Sequence, residues 1–311
     1  MGDALLVRKG GGGSKVFIDG VRYKDDLNLY SQDCETELSK CPYSDYGGTA
    51  VLLNGEIHVL GGYSHSTNHY KWNGSAWTKV STLPSSFQYS YKCAVVLNNE
   101  IHILVVSDNY GYKNNHYKWN GSAWTKVSTL PYEFRYGRAV VLNNEIHILG
   151  TNSSSNSSSN SYKHYKWNGS SWVSVSTLPY SFITGCAVVL NNEIHILGGN
   201  SSDYVNKHYK WNGSSWVSVS TLPYSLCKGQ CEVVKNEIHI FGTSYTDYGN
   251  NHYKWNGSAW TKCDNMSTQA YDNASVEKNG KIHLLFVRAV GSSVAAGERH
   301  IIINDTLYKE V

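Results

Sequence analysis

Histidine is the residue type whose number in this chain first suggests metal or acid–base chemistry. The chain has 13 histidines, and twelve of them recur at two fixed places in a repeated sequence. The two series are His58, His102, His147, His195, His239 and His283, and His69, His116, His164, His208, His252 and His300. No HExxH or CxxC spacing, which is typical of zinc sites, accompanies them. We therefore interpret these histidines as packing residues between repeated units, and we expect no metal and no other cofactor.

The cysteines suggest neither a disulfide framework nor a catalytic site. They are odd in number and unevenly spaced: Cys34, Cys41, Cys93, Cys186, Cys227, Cys231 and Cys263. Cys93 and Cys186 share a repeat position that Arg138 occupies in another repeat, so no bridge is required there. We expect free thiols and synthesis in a reducing compartment. Since no nucleophile–base pair or phosphate-binding loop is recognisable, the sequence predicts a protein that is not an enzyme.

Charge and hydrophobicity exclude two further classes. The net charge is +3 and the basic residues are scattered, so no nucleic-acid surface is indicated. No apolar stretch approaches the roughly 20 residues of a membrane-spanning helix, so no membrane insertion is expected. The apolar run at 4–7 is much shorter than that of a signal peptide, which predicts a protein made in the cytoplasm without a secretion signal.

The elements that position these residues are indicated by internal repetition. Five tryptophans, Trp77, Trp124, Trp172, Trp216 and Trp260, recur every 44 to 48 residues, each preceded by a second tryptophan five residues earlier. Six isoleucines mark six copies of the other half of the repeat: Ile57, Ile101, Ile146, Ile194, Ile238 and Ile282. The sixth copy lacks tryptophan, but residues 300–311 align with the segment HYKWNGSAWTKV.

Each repeat reads as four short strands, which we name A to D. In the fourth repeat they are predicted at 186–190, 193–198, 208–211 and 216–222. Asn191-Asn192 suits a two-residue turn with positive φ, and Asn212-Gly213 is a strong hairpin signal. Pro223 ends strand D because it cannot donate to a ladder. Four antiparallel strands repeated at this period are typical of a propeller blade. We predict an all-β propeller with six four-stranded blades and negligible helix.

The repeat resembles the kelch repeat. The resemblance rests on Gly61-Gly62 and Gly198-Gly199 at the end of strand B, on a tyrosine in strand C such as Tyr209, on the tryptophan that opens strand D, and on the closing Leu-Pro. It departs at Val105-Val106 and in the sixth repeat. Kelch membership implies a propeller with strand A nearest the axis, but it does not imply one activity. Some kelch-like propellers are sugar-active enzymes.

The N-terminal region is expected to be separate from the repeats. Residues 15–25 look like a hairpin that turns at Asp19-Gly20, and residues 10–13 look like a flexible glycine link. We predict an attachment or assembly segment at 1–33 and a propeller at 34–311, in which residues 35–42 close the ring by pairing with the last blade. The alternative is a seventh, incomplete N-terminal blade.

Differences between the repeats point to a binding face. In an up-and-down blade the A–B and C–D turns share one face, which we call the turn face, and the B–C and D–A connections share the other, the loop face. The turns are nearly invariant, whereas the loops vary and are rich in Tyr, Ser, Asn and Gly, the composition of antibody-type paratopes. Drift of exposed loops is the other explanation. The candidate ligand-binding residues are Tyr63, His65, Tyr89, Tyr91, Asn109, Tyr110, Tyr112, Arg135, Tyr136, Arg138, Tyr162, Phe182, Asp203, Tyr204, Tyr245 and Tyr248.

These patterns predict a non-enzymatic binding module that recognises a cell-surface receptor or glycan through the loop face. An outward-facing role without a secretion signal fits a phage tail or tail-like particle, in which residues 1–33 would contact other tail or baseplate proteins and the chain could form a homo-oligomer. The alternatives are an intracellular kelch scaffold or adaptor and a sugar-active kelch enzyme. The sequence names neither the ligand nor the host.

Overall fold

Regular structure is confined to strands in the part of the chain that can be described. The computed structural model describes residues 6–8, 15–18, 21–23, 35–38, 40–43, 48–62, 64–84, 93–107, 113–132, 134, 136–150, 162–199, 206–242, 250–263, 265–266, 268–269, 274–289 and 299–304. Within these ranges there is no α-helix, and hence no helix that could cross a membrane.

Four short strands precede the first repeat. They are β1 (Leu6–Arg8), β2 (Lys15–Ile18), β3 (Val21–Tyr23) and β4 (Glu35–Glu37). The first three form an antiparallel sheet in the order β1-β2-β3. Ile18 pairs with Val21, which agrees with the predicted hairpin, and Asp19 and Gly20, where the sequence predicts the turn, lie outside the described residues.

Five blades follow, each a four-stranded antiparallel sheet in sequence order. Blade 1 contains β5 (Thr49–Leu53), β6 (Glu56–Leu60), β7 (Asn68–Trp72) and β8 (Trp77–Thr82). Blade 2 contains β9 (Cys93–Leu97), β10 (Glu100–Ser107), β11 (Lys113–Trp119) and β12 (Trp124–Thr129). Blade 3 contains β13 (Arg138–Leu142), β14 (Glu145–Leu149), β15 (Lys163–Trp167) and β16 (Trp172–Thr177). Blade 4 contains β17 (Cys186–Leu190), β18 (Glu193–Leu197), β19 (Lys207–Trp211) and β20 (Trp216–Thr221). Blade 5 contains β21 (Gln230–Val234), β22 (Glu237–Gly242), β23 (Asn251–Trp255) and β24 (Trp260–Lys262).

The sixth blade is assembled from both ends of the chain. It contains β26 (Ala274–Lys278), β27 (Lys281–Ala289) and β28 (Arg299–Asn304), and a two-residue strand, β25 (Thr268–Gln269), pairs with the end of β27. The fourth strand of the blade is β4, which pairs antiparallel with β28. Closure of the ring by the N-terminal segment is therefore confirmed. Residues 305–311, whose alignment suggested another outer strand, lie outside the described residues.

The A strands form a closed ring around the axis. Each A strand contacts the A strand of the next blade, in the order β5, β9, β13, β17, β21 and β26, and β26 contacts β5. Six blades therefore complete the propeller, and the seven-blade alternative is wrong. The core lies between neighbouring blades, as where Val95 and Leu97 of blade 2 pack against Ile146 and Ile148 of blade 3.

Asparagine determines both kinds of hairpin turn. In the A–B turn of blade 2, Asn98 and Asn99 have φ of 52° and 61°, a left-handed conformation that asparagine tolerates better than most residues. In the C–D turn of blade 1, Asn73 Oδ1 accepts hydrogen bonds from the backbone N–H groups of Ser75 and Ala76. These local preferences fix the register of the strands and explain why the turn face is uniform.

Candidate functional site

The strand order places all B–C and D–A connections at one end of the blades, so the loop face exists as expected. Five of the candidate binding residues are described by the structure: His65, Tyr136, Arg138, Tyr162 and Phe182. The others lie outside the described residues: Tyr63, Tyr89, Tyr91, Asn109, Tyr110, Tyr112, Arg135, Asp203, Tyr204, Tyr245 and Tyr248. Tyr162 is 40% exposed. His65 is also exposed, and its ring packs at a tilt against the buried Tyr43, with 4.8 Å between ring centroids.

Phe182 is not an exposed contact residue, contrary to the expectation from the sequence. Its side chain is 0% exposed and packs in the core between blades 3 and 4. A Cβ added to Gly185 would lie 2.3 Å from the Phe182 ring, so the glycine makes room for the aromatic side chain. Phe134 and Leu226 are buried at the same place in their own D–A loops. This position is therefore an anchor that holds the loop on the ring.

The tyrosine that directly follows Leu-Pro is a second anchor of the D–A loop, although the sequence places it in a loop that varies between repeats. The hydroxyl groups of Tyr132 and Tyr180 donate to the carbonyl oxygens of Gly150 and Gly198 at 3.1 and 2.7 Å. Both glycines have positive φ, which brings the carbonyl at the end of strand B within reach of the hydroxyl. The first half of a D–A loop is thus fixed to its blade, and variation between repeats is left to the second half.

The second halves of three successive D–A loops form a strained rim around the axis. Tyr136, Thr184 and Lys228 occupy equivalent positions and have φ of 43°, 61° and 55°. Thr184 N–H donates to Tyr136 O at 3.1 Å, and Lys228 N–H donates to Thr184 O at 2.9 Å. A β-branched residue such as threonine is disfavoured in this conformation. Non-glycine residues held there cost about 1–3 kcal/mol each and are concentrated at functional sites. We call these three residues the axial rim.

Arg138 opens strand A of blade 3 two residues after the rim position. Its guanidinium donates to Gly137 O at 3.3 Å. Two thiols near the axis, Cys93 and Cys231, have raised pKa values, and the positive charge of Arg138 acts to lower both. Burial is the main cause that raises the pKa of both thiols, and it outweighs the effect of Arg138. The thiols are therefore protonated at neutral pH, which makes them poor nucleophiles. No disulfide joins the cysteines of the described ranges.

Glu232 is a carboxyl group in a position that is valine in the five other blades. The equivalent third position of strand A is occupied by Val51, Val95, Val140, Val188 and Val276. Burial raises the pKa of Glu232 to about 7, and Glu277 raises it further, although Ser275 Oγ donates to Glu232 Oε1 at 2.6 Å. A carboxyl group placed where the repeat has valine is not required by the fold. Such perturbed groups are candidates for a functional role.

Replacement of Glu232 is expected to stabilise the protein at alkaline pH. A carboxyl group whose pKa is raised by folding favours the folded state at low pH, and this contribution is lost as the pH rises through about 7. At pH 8 Glu232→Gln should therefore raise the free energy of unfolding by about 2 kcal/mol. Urea unfolding at about pH 6 and pH 8 measures the difference. The interpretation is wrong if the gain in stability is the same at both pH values.

The repeated histidines are buried and hydrogen-bonded in pairs. In blade 1, His58 Nδ1 lies 2.8 Å from His69 Nε2, and His69 Nδ1 lies 2.8 Å from Ser81 Oγ. Trp124 of the next blade donates its indole N–H to the same Ser81 Oγ at 3.0 Å. We call this chain of four side chains the junction relay, because it crosses from one blade to the next. The same relay is formed by His102, His116, Ser128 and Trp172, by His147, His164, Ser176 and Trp216, and by His195, His208, Ser220 and Trp260.

The relay has a definite hydrogen-bond direction. An indole N–H only donates, so Ser81 accepts from Trp124 and its hydroxyl proton is available to His69 Nδ1. His69 Nε2–H can then donate to His58 Nδ1. Burial lowers the pKa of His69 to about 3 and of His58 to about 4, so both rings are neutral. No group of three or more metal-ligating side chains occurs in the described part of the chain.

The relay is incomplete at the two junctions of blade 6. His283 and His300 still pair at 2.9 Å. However, His300 Nδ1 and Trp77 Nε1 have no hydrogen-bond partner in the structure as described, and blade 6 has no tryptophan to reach back to blade 5. The closure between blades 6 and 1 instead uses Tyr43, whose hydroxyl donates to Gly61 O at 2.8 Å, and Cys41, whose sulfur accepts from Phe286 N–H at 3.4 Å.

Comparison with known proteins agrees with this architecture. No protein-family model and no curated protein matches the chain. The solved structure of YjhT is similar, with a TM-score of 0.73 and 13% sequence identity over 86% of this chain and 97% of that chain. At this identity the similarity concerns the fold alone. Together with the closed ring of A strands, it shows that the chain is a six-bladed β-propeller.

Proposed function

We propose that this propeller is a kelch-type, non-enzymatic binding module that recognises a cell-surface receptor or glycan through the loop face. The observation that carries the proposal is the axial rim, where Tyr136, Thr184 and Lys228 are held in a strained backbone conformation and linked by hydrogen bonds. Strain of this kind persists only where the surrounding structure enforces it. It gives a rigid platform, so that a ligand pays little ordering entropy on binding.

The side chains of the rim suit a polar ligand with an apolar face. Tyr136 supplies an aromatic ring and a hydroxyl, and Lys228 and Arg138 supply positive charge at the same end of the axis. Both thiols near Arg138 are protonated. The serine–histidine contacts of the junction relay lie between blades, and their histidines are fully buried, so a substrate does not reach them, which favours binding over turnover. The kelch assignment is supported by the Gly-Gly pairs, whose first carbonyl accepts the tyrosine hydroxyl in blades 1 and 4.

The particle that we propose to carry this module is a phage tail or a tail-like particle. The support is architectural: β4 belongs to the ring, whereas β1–β3 form a sheet of their own, so residues 1–33 are available for attachment to other tail or baseplate proteins. Host cells would then be contacted by the loop face.

Substitution at the rim is expected to weaken binding without loss of stability. Tyr136→Asn and Lys228→Asn remove the side chains but keep a residue that tolerates positive φ. At a binding hot spot each should cost about 2 kcal/mol, roughly a 30-fold loss of affinity. Binding to a glycan array and to a panel of intact bacterial cells measures the effect, and thermal unfolding checks the fold.

The matched control is Lys126→Asn, on the exposed outer strand of blade 2. It should leave both affinity and melting temperature unchanged. The proposal fails if both rim variants bind as tightly as the wild type, or if only substitutions of the turn face, such as Ser75→Ala, reduce binding.

A further inference from the structure

The outer strands of blades 3 and 4 differ from the other outer strands in having no charge. Strands β16 and β20 both read WVSVST, whereas β8 and β12 read WTKVST and β24 reads WTK. Val173 and Val217 are 40% and 41% exposed, and Tyr162 is the only other large hydrophobic residue so exposed among the described residues. An exposed lysine on an outer strand blocks the approach of another strand. Blades 3 and 4 lack this protection.

The difference lies in the side chains and not in the backbone. All four six-residue outer strands have the same burial pattern, and each has the same register shift against strand C. In the sheets of the described part, β16 pairs only with β15, and β20 pairs only with β19. Each therefore presents one edge of unpaired backbone N–H and C=O groups with an apolar side chain beside it.

We propose that these two edges associate with the corresponding edges of a second copy of this chain. Every copy carries a net charge of +3, and its lysine-bearing edges repel those of another copy. The outer strand of blade 6, β4, carries Glu35 and Glu37, so two copies of that strand would bring like-charged carboxylates together. The uncharged edges of blades 3 and 4 are therefore the ones at which an outer strand meets its own copy without like charges. Antiparallel pairing of a strand with its own copy is a two-fold arrangement, in which the same patch is used on both partners. Main-chain hydrogen bonds supply the attraction, as in other forms of strand addition.

The contact is small, which determines how it is observed. One six-residue edge buries less than the roughly 1,200 Å² of a standard stable interface, so the association is weak and depends on protein concentration. Because the same sequence occurs on two neighbouring blades, each copy offers two such edges. Dimers therefore extend to longer assemblies at high concentration.

The chain provides its own matched variants for the test. Val173→Thr with Ser174→Lys, combined with Val217→Thr and Ser218→Lys, gives blades 3 and 4 the outer strand that blades 1 and 2 already have. The reverse variant, Thr78→Val with Lys79→Ser and Thr125→Val with Lys126→Ser, gives blades 1 and 2 the uncharged strand. In both variants the new outer-strand sequence is one that another blade of the same ring already has on the same type of strand.

Sedimentation velocity of the full chain between about 5 and 500 μM protein measures the association. We expect the wild type to associate with increasing concentration, the lysine variant to raise the dissociation constant at least tenfold, and the reverse variant to form larger assemblies. A wild type that remains monomeric throughout overturns the proposal, as does a lysine variant that associates like the wild type. Neither result bears on ligand binding at the axial rim, because the outer strands take no part in it.

Discussion

Acidification from about pH 7.5 to pH 5 is expected to unfold the propeller in a cooperative transition. Burial holds the pKa of eleven repeat histidines at about 3 or 4: His58, His69, His102, His116, His147, His164, His195, His208, His252, His283 and His300. In the unfolded chain each returns to about 6.5. The unfolded state therefore binds more protons, and stability is lost as the pH falls below about 6.5 toward the folded-state pKa values.

The expected effect is large because the contributions add. At pH 5 each histidine lowers the free energy of unfolding by about 2 kcal/mol. Six such contributions approach or exceed the roughly 5–15 kcal/mol by which domains are stable. Tryptophan fluorescence as a function of pH should report the transition, because the rings of the relay become exposed. Potentiometric titration should record uptake of about ten protons in the same interval.

Recovery of the native spectrum at pH 7.5 is the control that separates protonation from aggregation. A protein that stays folded at pH 5 while the titration records the same uptake of protons would show that the histidine pairs accept protons in the core, and the assignment of neutral rings would then be wrong. A protein that stays folded without that uptake contradicts the expected transition.

Truncation before or after the closing strand is expected to give opposite results. Removal of residues 1–33 should leave the melting temperature of the propeller nearly unchanged, because β4 begins at Glu35. Removal of residues 1–43 takes away β4 together with the buried Cys41 and Tyr43. Loss of a buried aromatic side chain alone costs about 3–5 kcal/mol, and the outer edge of β28 also becomes exposed. We expect the shorter protein to be unfolded or aggregated at 37 °C, as judged by circular dichroism and calorimetry.

Tyr43→Phe gives the graded control for this comparison. It removes only the hydroxyl that donates to Gly61 O and should cost about 1 kcal/mol. If the protein without residues 1–43 has the same melting temperature as the protein without residues 1–33, β4 is not needed to close the ring. If removal of residues 1–33 already unfolds the ring, the sheet β1–β3 is part of its stability and is not only an attachment segment.

The strands were predictable because local chemistry decides them. Asn191 and Asn192 both adopt positive φ, and the Asn212 side chain accepts hydrogen bonds from the backbone of Ser214 and Ser215. Because these turns are decided locally, the predicted strands of the fourth repeat agree with β17–β20 to within one residue. The role of β4 was predictable for a related reason, because an A strand must be preceded by a D strand. The junction relay was not predictable, since His69 meets Ser81 only through the register shift in the β7–β8 pair, which repetition does not reveal.

The candidate site was harder to predict because one loop serves two purposes. Tyr136 and Phe182 lie in equivalent D–A loops and both looked like exposed aromatic residues. The structure separates them by position: the third residue after Leu-Pro is drawn into the core, whereas the fifth residue lies on the rim. A count of aromatic residues does not distinguish these places. The left-handed conformation of Thr184 and Lys228 could not be predicted from the sequence, because neither residue type is typical of that conformation.

The junction relay also bears on how a protein of this kind changes over generations. Each of blades 2 to 5 brings a tryptophan to the preceding blade, and each of blades 1 to 4 offers the following blade a serine that is hydrogen-bonded to the strand C histidine of its histidine pair. Recombination between repeats in the coding sequence can therefore duplicate, delete or exchange an internal blade and still produce a matched junction. Loops are transferred with their blade, so new combinations of surface residues arise without any change in the contacts that hold the ring together. Only blade 6, whose junctions lack the relay, cannot be exchanged in this way.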